Sequence, residues 1–180
     1  MNWKIPEDEG PAYWLQLKIE LVRFLGDQIQ LICPTVCDDQ CFSWFHSLEE
    51  EDFRFELQYT REEITERLEY PEVLFFFIIN NEVPEILVLG YKMRDYEPLT
   101  FYLDTLAVRQ RGRGIGHVVM RFIVKRAQNK RYQAIILDTE EKNEKGIPLQ
   151  YFYQVHGFET IARTNTGDLK MLLDLTTSDE

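Results

Sequence analysis

A turn rich in arginine and glycine, residues 109–116, contains the side chains best suited to binding an anion. An apolar, β-prone segment, residues 101–108, precedes the turn, and apolar residues recur after it at the spacing of an amphipathic helix. The first amides of a helix lack intrahelical partners and carry a partial positive charge, and glycines let the backbone approach a ligand closely. The segment therefore predicts a phosphate-binding site.

Two common phosphate-binding motifs do not fit this turn. The dinucleotide pattern GxGxxG would use Gly112 and Gly114 and would then require glycine at the position of His117. The P-loop pattern requires a lysine after its second glycine, and no placement on the glycines of the turn supplies one. The pattern that does fit is R-x-x-G-x-G, formed by Arg111, Gly114 and Gly116.

The elements around the turn predict an α+β fold with a mixed, mostly antiparallel central sheet flanked by helices. Strands are predicted at residues 28–33, 73–79, 86–93, 100–108, 134–138, 158–162 and 170–175. The helix after the phosphate turn should connect two parallel strands, as in a β-α-β unit. The strict alternation of residues 15–21 favours a strand there, and the competing interpretation is a helix that begins at Pro11.

Further helices are predicted after Asp38 or Asp39 and after the Thr60–Glu63 capping box. The acidic run at residues 49–52 is expected to be solvated surface. We expect one domain, residues 1–180, with residues 1–27 as an extra N-terminal segment ahead of its best-matched core, residues 73–175.

Charge is distributed unevenly along the chain. The net charge is −11, with −13 in residues 1–98 and +2 in residues 99–180. An acidic protein is a poor nucleic-acid binder, so the basic block at residues 109–131 fits a small polyanion better, or else forms a solvated helix face. No apolar run is long enough to span a membrane, and no signal peptide is recognisable, so a cytoplasmic location is expected. Three cysteines spaced four apart, Cys33, Cys37 and Cys41, are expected to be free thiols and not a metal site.

The R-x-x-G-x-G motif resembles motif A of the GNAT superfamily of acyl-CoA-dependent N-acyltransferases. Two flanking segments strengthen the resemblance, which extends over about residues 101–175. Residues 106–108 (LAV) resemble the end of the family's fourth core strand, and residues 153–158 (YQVHGF) resemble its Y-x-x-x-G-F helix ending. The resemblance implies that coenzyme A is held by main-chain groups of the strand and by amides of the turn. The implied cofactor-binding residues are Leu106, Ala107, Val108, Arg111, Gly112, Arg113, Gly114, Ile115, Gly116, His117, Asn143 and Tyr153.

Two side chains are candidates for the chemistry of acyl transfer to an amine. An alkylammonium has a pKa of about 10, so a base must remove a proton near neutral pH, and the departing thiolate must receive one. Asp104 is the candidate base, since strand alternation puts it on the face of Leu106 and Val108. The alternatives are a carboxylate that only pairs with a neighbouring Arg or Tyr, or a base supplied by Glu85, Glu140 or water.

Tyr153 is the candidate general acid, because a phenol stays protonated at neutral pH. The alternative for Tyr153 is a core aromatic residue. His117 is expected to help hold phosphate, and His156 is expected to be structural.

The sequence thus predicts an N-acetyltransferase that moves an acetyl group from acetyl-CoA to a primary amine by direct transfer in a ternary complex, without a metal. A catalytically silent CoA-binding module is the alternative. The acidic N-terminal half suits a cationic small-molecule or peptide acceptor, and neither nucleic acid nor membrane is expected as a partner. A homodimer is compatible with the sequence.

Overall fold

The computed structural model describes residues 3–52, 58–143 and 145–176. Its strands are β1 (Ile29–Ile32), β2 (Leu74–Asn80), β3 (Val83–Lys92), β4 (Thr100–Val108), β5 (Ala134–Thr139), β6 (Glu159–Arg163) and β7 (Leu169–Asp174). Its helices are α1 (Pro11–Leu25), α2 (Asp39–Asp52), α3 (Arg61–Leu68), α4 (Ile115–Asn129) and α5 (Leu149–Gln154).

Within these residues seven strands form one sheet in the order β1-β2-β3-β4-β5-β7-β6. Neighbours are antiparallel except β4 and β5, which are parallel and are connected through α4. The α+β fold with a mixed, mostly antiparallel sheet is therefore confirmed. The β-α-β unit follows from the sequence because parallel neighbours need a crossover, and the amphipathic helix provides it.

Each face of the sheet carries its own apolar layer. Helices α1 and α4 cover one face, where Trp14, Phe76 and Phe122 pack ring against ring with centroids 4.6–5.7 Å apart. Helix α2 covers the other face, where Phe45 and Phe77 are fully buried. Strand β2 lies between the two layers and is buried on both faces, which explains its unbroken apolar run.

The strand predicted at residues 15–21 is wrong, because this stretch lies inside α1. The apolar residues alternate there, but the residues that become buried follow the spacing of a helix: Tyr13, Trp14, Leu17, Leu21 and Leu25. Leu15 and Ile19, which the alternation placed on the same face as Leu17, are about half exposed. Tertiary packing of the Trp14 face against α4 therefore overrides the local pattern.

The extra N-terminal segment is tied to α4 by a buried ion pair. Glu9 accepts a hydrogen bond of 2.6 Å from Arg126 Nη2, and both side chains are less than 5% exposed. Tyr13 and Trp14 also donate to the Glu9 carboxylate, so the charge is well compensated.

Within the acidic run, Glu49 departs from the expected solvated surface, Glu50 is exposed, and the side chains of residues 51 and 52 lie outside the described part of the chain. Glu49 is 2% exposed, and its carboxylate accepts hydrogen bonds of 3.1 Å from the amide of Tyr59. The three cysteines are free, as expected. No helix in the described ranges combines the length and apolar character needed to cross a bilayer.

Candidate active site

The parallel strands β4 and β5 separate to form a fork. Their pairing runs only from Thr100 with Ala134 to Tyr102 with Ile136, although β4 continues to Val108 and β5 to Thr139. On its other edge β4 stays paired with β3 up to Val108. The backbone edge of residues 106–108 that faces β5 is therefore available to an extended ligand, which can pair with it as an added strand would.

A β-bulge inside β4 determines which face each side chain takes. Leu89 of β3 pairs with Thr105, but the next residue, Gly90, pairs with Leu103, so Asp104 is the extra residue. A bulge reverses the alternation that follows it. The prediction that Asp104 shares a face with Leu106 and Val108 is therefore wrong.

Contacts on the two faces agree with this assignment. Leu103, Leu106 and Val108 all belong to the apolar layer of α1 and α4. Asp104 instead bonds to Tyr59 and Arg67 on the side of α2 and α3.

The phosphate turn has the backbone geometry that its glycines predict. Gly112 and Gly114 adopt φ angles of 73° and 88°, a region that side chains disfavour, and Gly114 is the N-cap of α4. Gly116 needs its small size for a different reason. A Cβ atom built on it would lie 3.2 Å from Cε2 of Phe152 on α5, so the two helices approach closely at this point.

A cavity of about 300 Å³ joins the fork to this turn. Eight of the predicted cofactor-binding residues line it: Leu106, Val108, Arg111, Gly112, Gly114, Gly116, His117 and Tyr153. Gln110, Phe152 and residues 147–149 complete the lining. The cavity thus combines a strand edge, an apolar wall and a turn suited to an anion.

The remaining predicted cofactor residues do not line this cavity. Ala107 and Ile115 are each 1% exposed and lie in the core, so only their main-chain groups could contact a ligand. Arg113 donates a 3.0 Å hydrogen bond to the carbonyl of Phe24 and a further bond to Gln110. The Asn143 side-chain oxygen accepts bonds of 3.0 and 2.9 Å from the amides of Lys145 and Ile147, so it shapes its own loop.

Tyr153 lines the cavity and carries a neutral hydroxyl. The residue is half-buried, and its ring packs against Phe152 and Phe158 with centroids 5.1 and 5.8 Å away. Burial raises the pKa of Tyr153 to about 12, against a smaller lowering by Arg111. The phenol therefore stays protonated over the neutral range and can donate to a developing negative charge.

His117 and His156 form a close pair beside the turn. Nδ1 of His117 lies 2.8 Å from Nε2 of His156, so one ring donates to the other. Burial, followed by His117 and Arg121, lowers the pKa of His156 to about 4. His156 is therefore neutral near pH 7, and His117 lines the cavity, as its expected contact with phosphate requires.

Asp104 is the acceptor of a buried hydrogen-bond cluster on the opposite face. Its side chain is 2% exposed and accepts bonds from the hydroxyls of Tyr59 and Tyr91, the latter at 2.8 Å, and from Nε of Arg67 at 3.2 Å. Burial, and then the Asp104 charge, raise the pKa values of Tyr59 and Tyr91. The contacts match the alternative of a carboxylate paired with a neighbouring Arg and Tyr.

A second cavity, of about 600 Å³, opens beside this cluster. Its lining includes Tyr102, the last β4 residue paired with β5, and Asp138, which lies just beyond the paired part of β5. Asp138 accepts bonds from the Tyr102 hydroxyl at 2.8 Å and from Lys170 Nζ at 3.1 Å. The other lining residues are Glu66, Tyr70, Tyr91, Lys92, Met93 and Arg94.

The sequence did not identify the residues of this second cavity as site residues. They come from five separate segments, which meet through the pairing of β3, β4, β5 and β7 and through the packing of Tyr70, just after α3, against Tyr91. The one usable signal was the tyrosine two positions before Asp104, within a strand already assigned to the site.

The forked sheet, the phosphate turn and the cavity that joins them define an acyl-CoA-dependent N-acyltransferase. Residues 37–158, about two thirds of the chain, match the sequence model of the acetyltransferase (GNAT) family. The chain therefore belongs to this family and is an acyltransferase. The match begins after α1, so the N-terminal helix lies outside it.

Solved structures share the fold. The NatC complex bound to Gag peptide and CoA contains a chain with 21% identity and a TM-score of 0.65, covering 83% of this chain and all of that one. The ribosomal-protein-S18-alanine N-acetyltransferase from Escherichia coli has 13% identity and a TM-score of 0.63, covering 84% and 97%. Aminoglycoside 6'-acetyltransferase type Ii has 17% identity and a TM-score of 0.58, covering 76% and 88%. No curated protein sequence matches the chain.

Proposed function

We propose that this acyltransferase moves an acetyl group from acetyl-CoA to a primary amine by direct transfer in a ternary complex. The observation that carries the proposal is the pair of cavities at the fork. One contacts the turn, α4 and α5 on one face of the sheet, and the other contacts residues beside α3 on the opposite face. A thioester and an amine that enter from opposite faces would meet between the diverging strands, so no covalent acyl-enzyme is needed.

On the cofactor side, the geometry supports the following roles. The β5-facing edge of residues 106–108 would pair with the pantetheine arm, and the amides of residues 111–117 would hold the pyrophosphate. The Tyr153 hydroxyl would donate to the sulfur as the C–S bond breaks, which stabilises the thiolate charge as it forms. Arg111, which also lines the cavity, adds positive charge near both groups.

On the acceptor side, we propose that Asp104 acts through a relay, because its carboxylate is enclosed and could not contact the amine directly. An ammonium entering the second cavity meets the hydroxyl of Tyr91, which already donates to Asp104. The amine proton would pass to the Tyr91 oxygen while the tyrosine proton moves to Asp104, so Tyr91 never ionises alone. The raised pKa of Tyr91 is consistent with such a coupled transfer and opposes a free phenolate.

The charges that line the second cavity limit the kinds of amine substrate that it can bind. It carries three basic side chains, Lys92, Arg94 and Lys170, and two acidic ones, Glu66 and Asp138. The acidity of the N-terminal half therefore does not continue into the cavity, which offers little attraction for a polycation. We propose that the substrate is a peptide or a small molecule that places a single amine at the fork. Its neighbouring groups would be anionic, or would accept hydrogen bonds from the basic side chains of the cavity.

The test is a panel assay with acetyl-CoA that follows release of free thiol. The panel contains a polyamine, an aminoglycoside and short peptides with free N termini or lysines, and each reaction has an amine-free control. Thiol release that depends on the amine, with an acetylated product of the expected mass, supports the proposal. CoA binding without thiol release for any amine would instead favour the silent CoA-binding module.

The relay has its own test in Tyr91→Phe and Asp104→Asn. Both should lower kcat/KM for the acceptor by about 10²-fold or more, with little change in the affinity for CoA. Tyr70→Phe is the matched control, since Tyr70 lines the same cavity and stacks edge-on against Tyr91 but donates to Glu66. Equal values of kcat/KM for Tyr91→Phe and Tyr70→Phe would refute the proposed relay.

A further inference from the structure

A third opening, separate from the two cavities at the fork, adjoins the phosphate turn. This cleft, of about 670 Å³, shares Gly114 and His117 with the cofactor cavity. Its walls come from three helices: the end of α1, the beginning of α4 and the end of α5. The lining residues are Glu20, Arg23, Phe24, Gly114, His117, Val118, Arg121, Val155 and His156.

A hydrogen bond connects the end of helix α1 directly to the phosphate turn. Arg113 of the turn donates a hydrogen bond of 3.0 Å to the carbonyl oxygen of Phe24, in the last turn of α1. This carbonyl is at the negative end of the helix dipole, so the guanidinium is well placed to stabilise the contact. A Cβ atom on Gly114 would lie 4.0 Å from Cζ of Phe24, which puts the Phe24 ring at the border of the turn. The part of the chain outside the family match thus reaches the site.

The cleft combines positive charge with apolar walls. Arg121 is paired with Glu20 through an Nη2–Oε2 contact of 2.6 Å, so these two charges balance. The exposed Arg23 therefore gives the cleft a net positive charge. The half-buried Phe24 and the half-exposed Val155 form apolar surface nearby. This combination of one net positive charge and apolar surface suits a ligand that carries a planar aromatic base and a phosphate group.

We propose that this cleft binds the adenosine 3'-phosphate end of coenzyme A, and that Arg23 of α1 contacts the 3'-phosphate. The inference rests on the proposed function, which puts the pyrophosphate on the turn between the two openings. The adenosine follows the pyrophosphate directly, so it must leave the turn along one of the bordering surfaces. The N-terminal helix is then a wall of the cofactor site and not only an addition to the fold.

The test compares CoA with 3'-dephospho-CoA on the full chain and on Arg23→Gln, with affinities measured by calorimetry. For the unchanged chain, CoA should bind about threefold to tenfold more tightly than dephospho-CoA, as expected for one partly solvated charge-assisted contact. In Arg23→Gln this difference should disappear, while the affinity for dephospho-CoA stays within about twofold. Such a result measures the contact itself, because a general loss of structure would weaken both ligands.

Arg131→Gln is the matched control. It removes the same charge from an exposed arginine just beyond the far end of α4, roughly 20 Å from the turn. It should leave the preference for CoA unchanged. If both ligands bind equally well to the unchanged chain, the inference is overturned and the proposed function stands. If neither ligand binds, the proposed function fails as well.

Discussion

Replacing Tyr153 by Phe removes one hydroxyl from the cofactor cavity and keeps the aromatic ring. The ring packs between Phe152 and Phe158, and these contacts do not need the oxygen. The substitution therefore isolates the proposed donation to the thiolate. Tyr151→Phe is the matched control, since Tyr151 lies on the same helix but is 64% exposed.

The expected loss of kcat in Tyr153→Phe follows from the pKa values of the Tyr153 phenol and of the departing thiol. The Tyr153 phenol has a pKa of about 12, whereas a thiol is near 8.5, so full proton transfer to the thiolate would be uphill by about 5 kcal/mol. The hydroxyl should therefore act by donating a hydrogen bond to the developing charge, which is worth about 1.5–3 kcal/mol. We expect kcat for Tyr153→Phe to fall by about 10- to 150-fold.

The assay follows free thiol at saturating acetyl-CoA as a function of pH. The unchanged chain should show no alkaline loss of kcat attributable to Tyr153 below about pH 11, because the hydroxyl stays protonated. The affinity for CoA should change by less than about threefold in Tyr153→Phe. A kcat equal to that of Tyr151→Phe would refute the donor role, and a large loss of CoA affinity at unchanged kcat would make Tyr153 a binding residue.

Three further predictions concern packing and charge. Gly116→Val should reduce CoA affinity about tenfold or more in a titration, because the side chain would displace the Phe152 ring, whereas Gly116→Ala should cost less. Burial raises the pKa of Glu49 to about 8, so the folded chain loses stability as pH rises from about 4.5 to 8, and Glu49→Gln should recover as much as about 4 kcal/mol in urea unfolding at pH 8.5 but little at pH 4. Arg126→Met should destabilise the chain by about 3 kcal/mol in the same measurement, because the buried Glu9 carboxylate would lose its closest cation and keep the longer contact with Lys130 Nζ at 3.4 Å, and a change below about 1 kcal/mol would contradict that.

The cofactor half of the site could be read from the sequence because its determinants are local. Glycines that tolerate positive φ, an arginine and a helical stripe occupy consecutive positions, and each imposes its geometry on its neighbours. The Tyr153 position was accessible in the same way, through its spacing to the Gly157 that follows α5. These features depend little on the rest of the chain.

The acceptor half could not be read in this way, and one residue explains much of the reason. A strand predicted by alternation puts Asp104 beside Leu106, but the bulge adds a residue and turns Asp104 to the other face. A bulge depends on how β3 and β4 fit together, and no local pattern encodes that fit. The same limit applies to residues 15–21, where an alternating sequence became a helix because its Trp14 face packs on α4.

The sequence by itself determined the order of elements from residue 28 onward, the phosphate turn and the family to which the chain belongs, because these follow from residue types at fixed spacing. Only the tertiary structure decided which residues line the two cavities at the fork, that Asp104 is enclosed by Tyr59 and Tyr91, and that α1 borders the phosphate turn. Each of these depends on pairing or packing between residues far apart in the chain. Such contacts form only when the whole sheet is assembled.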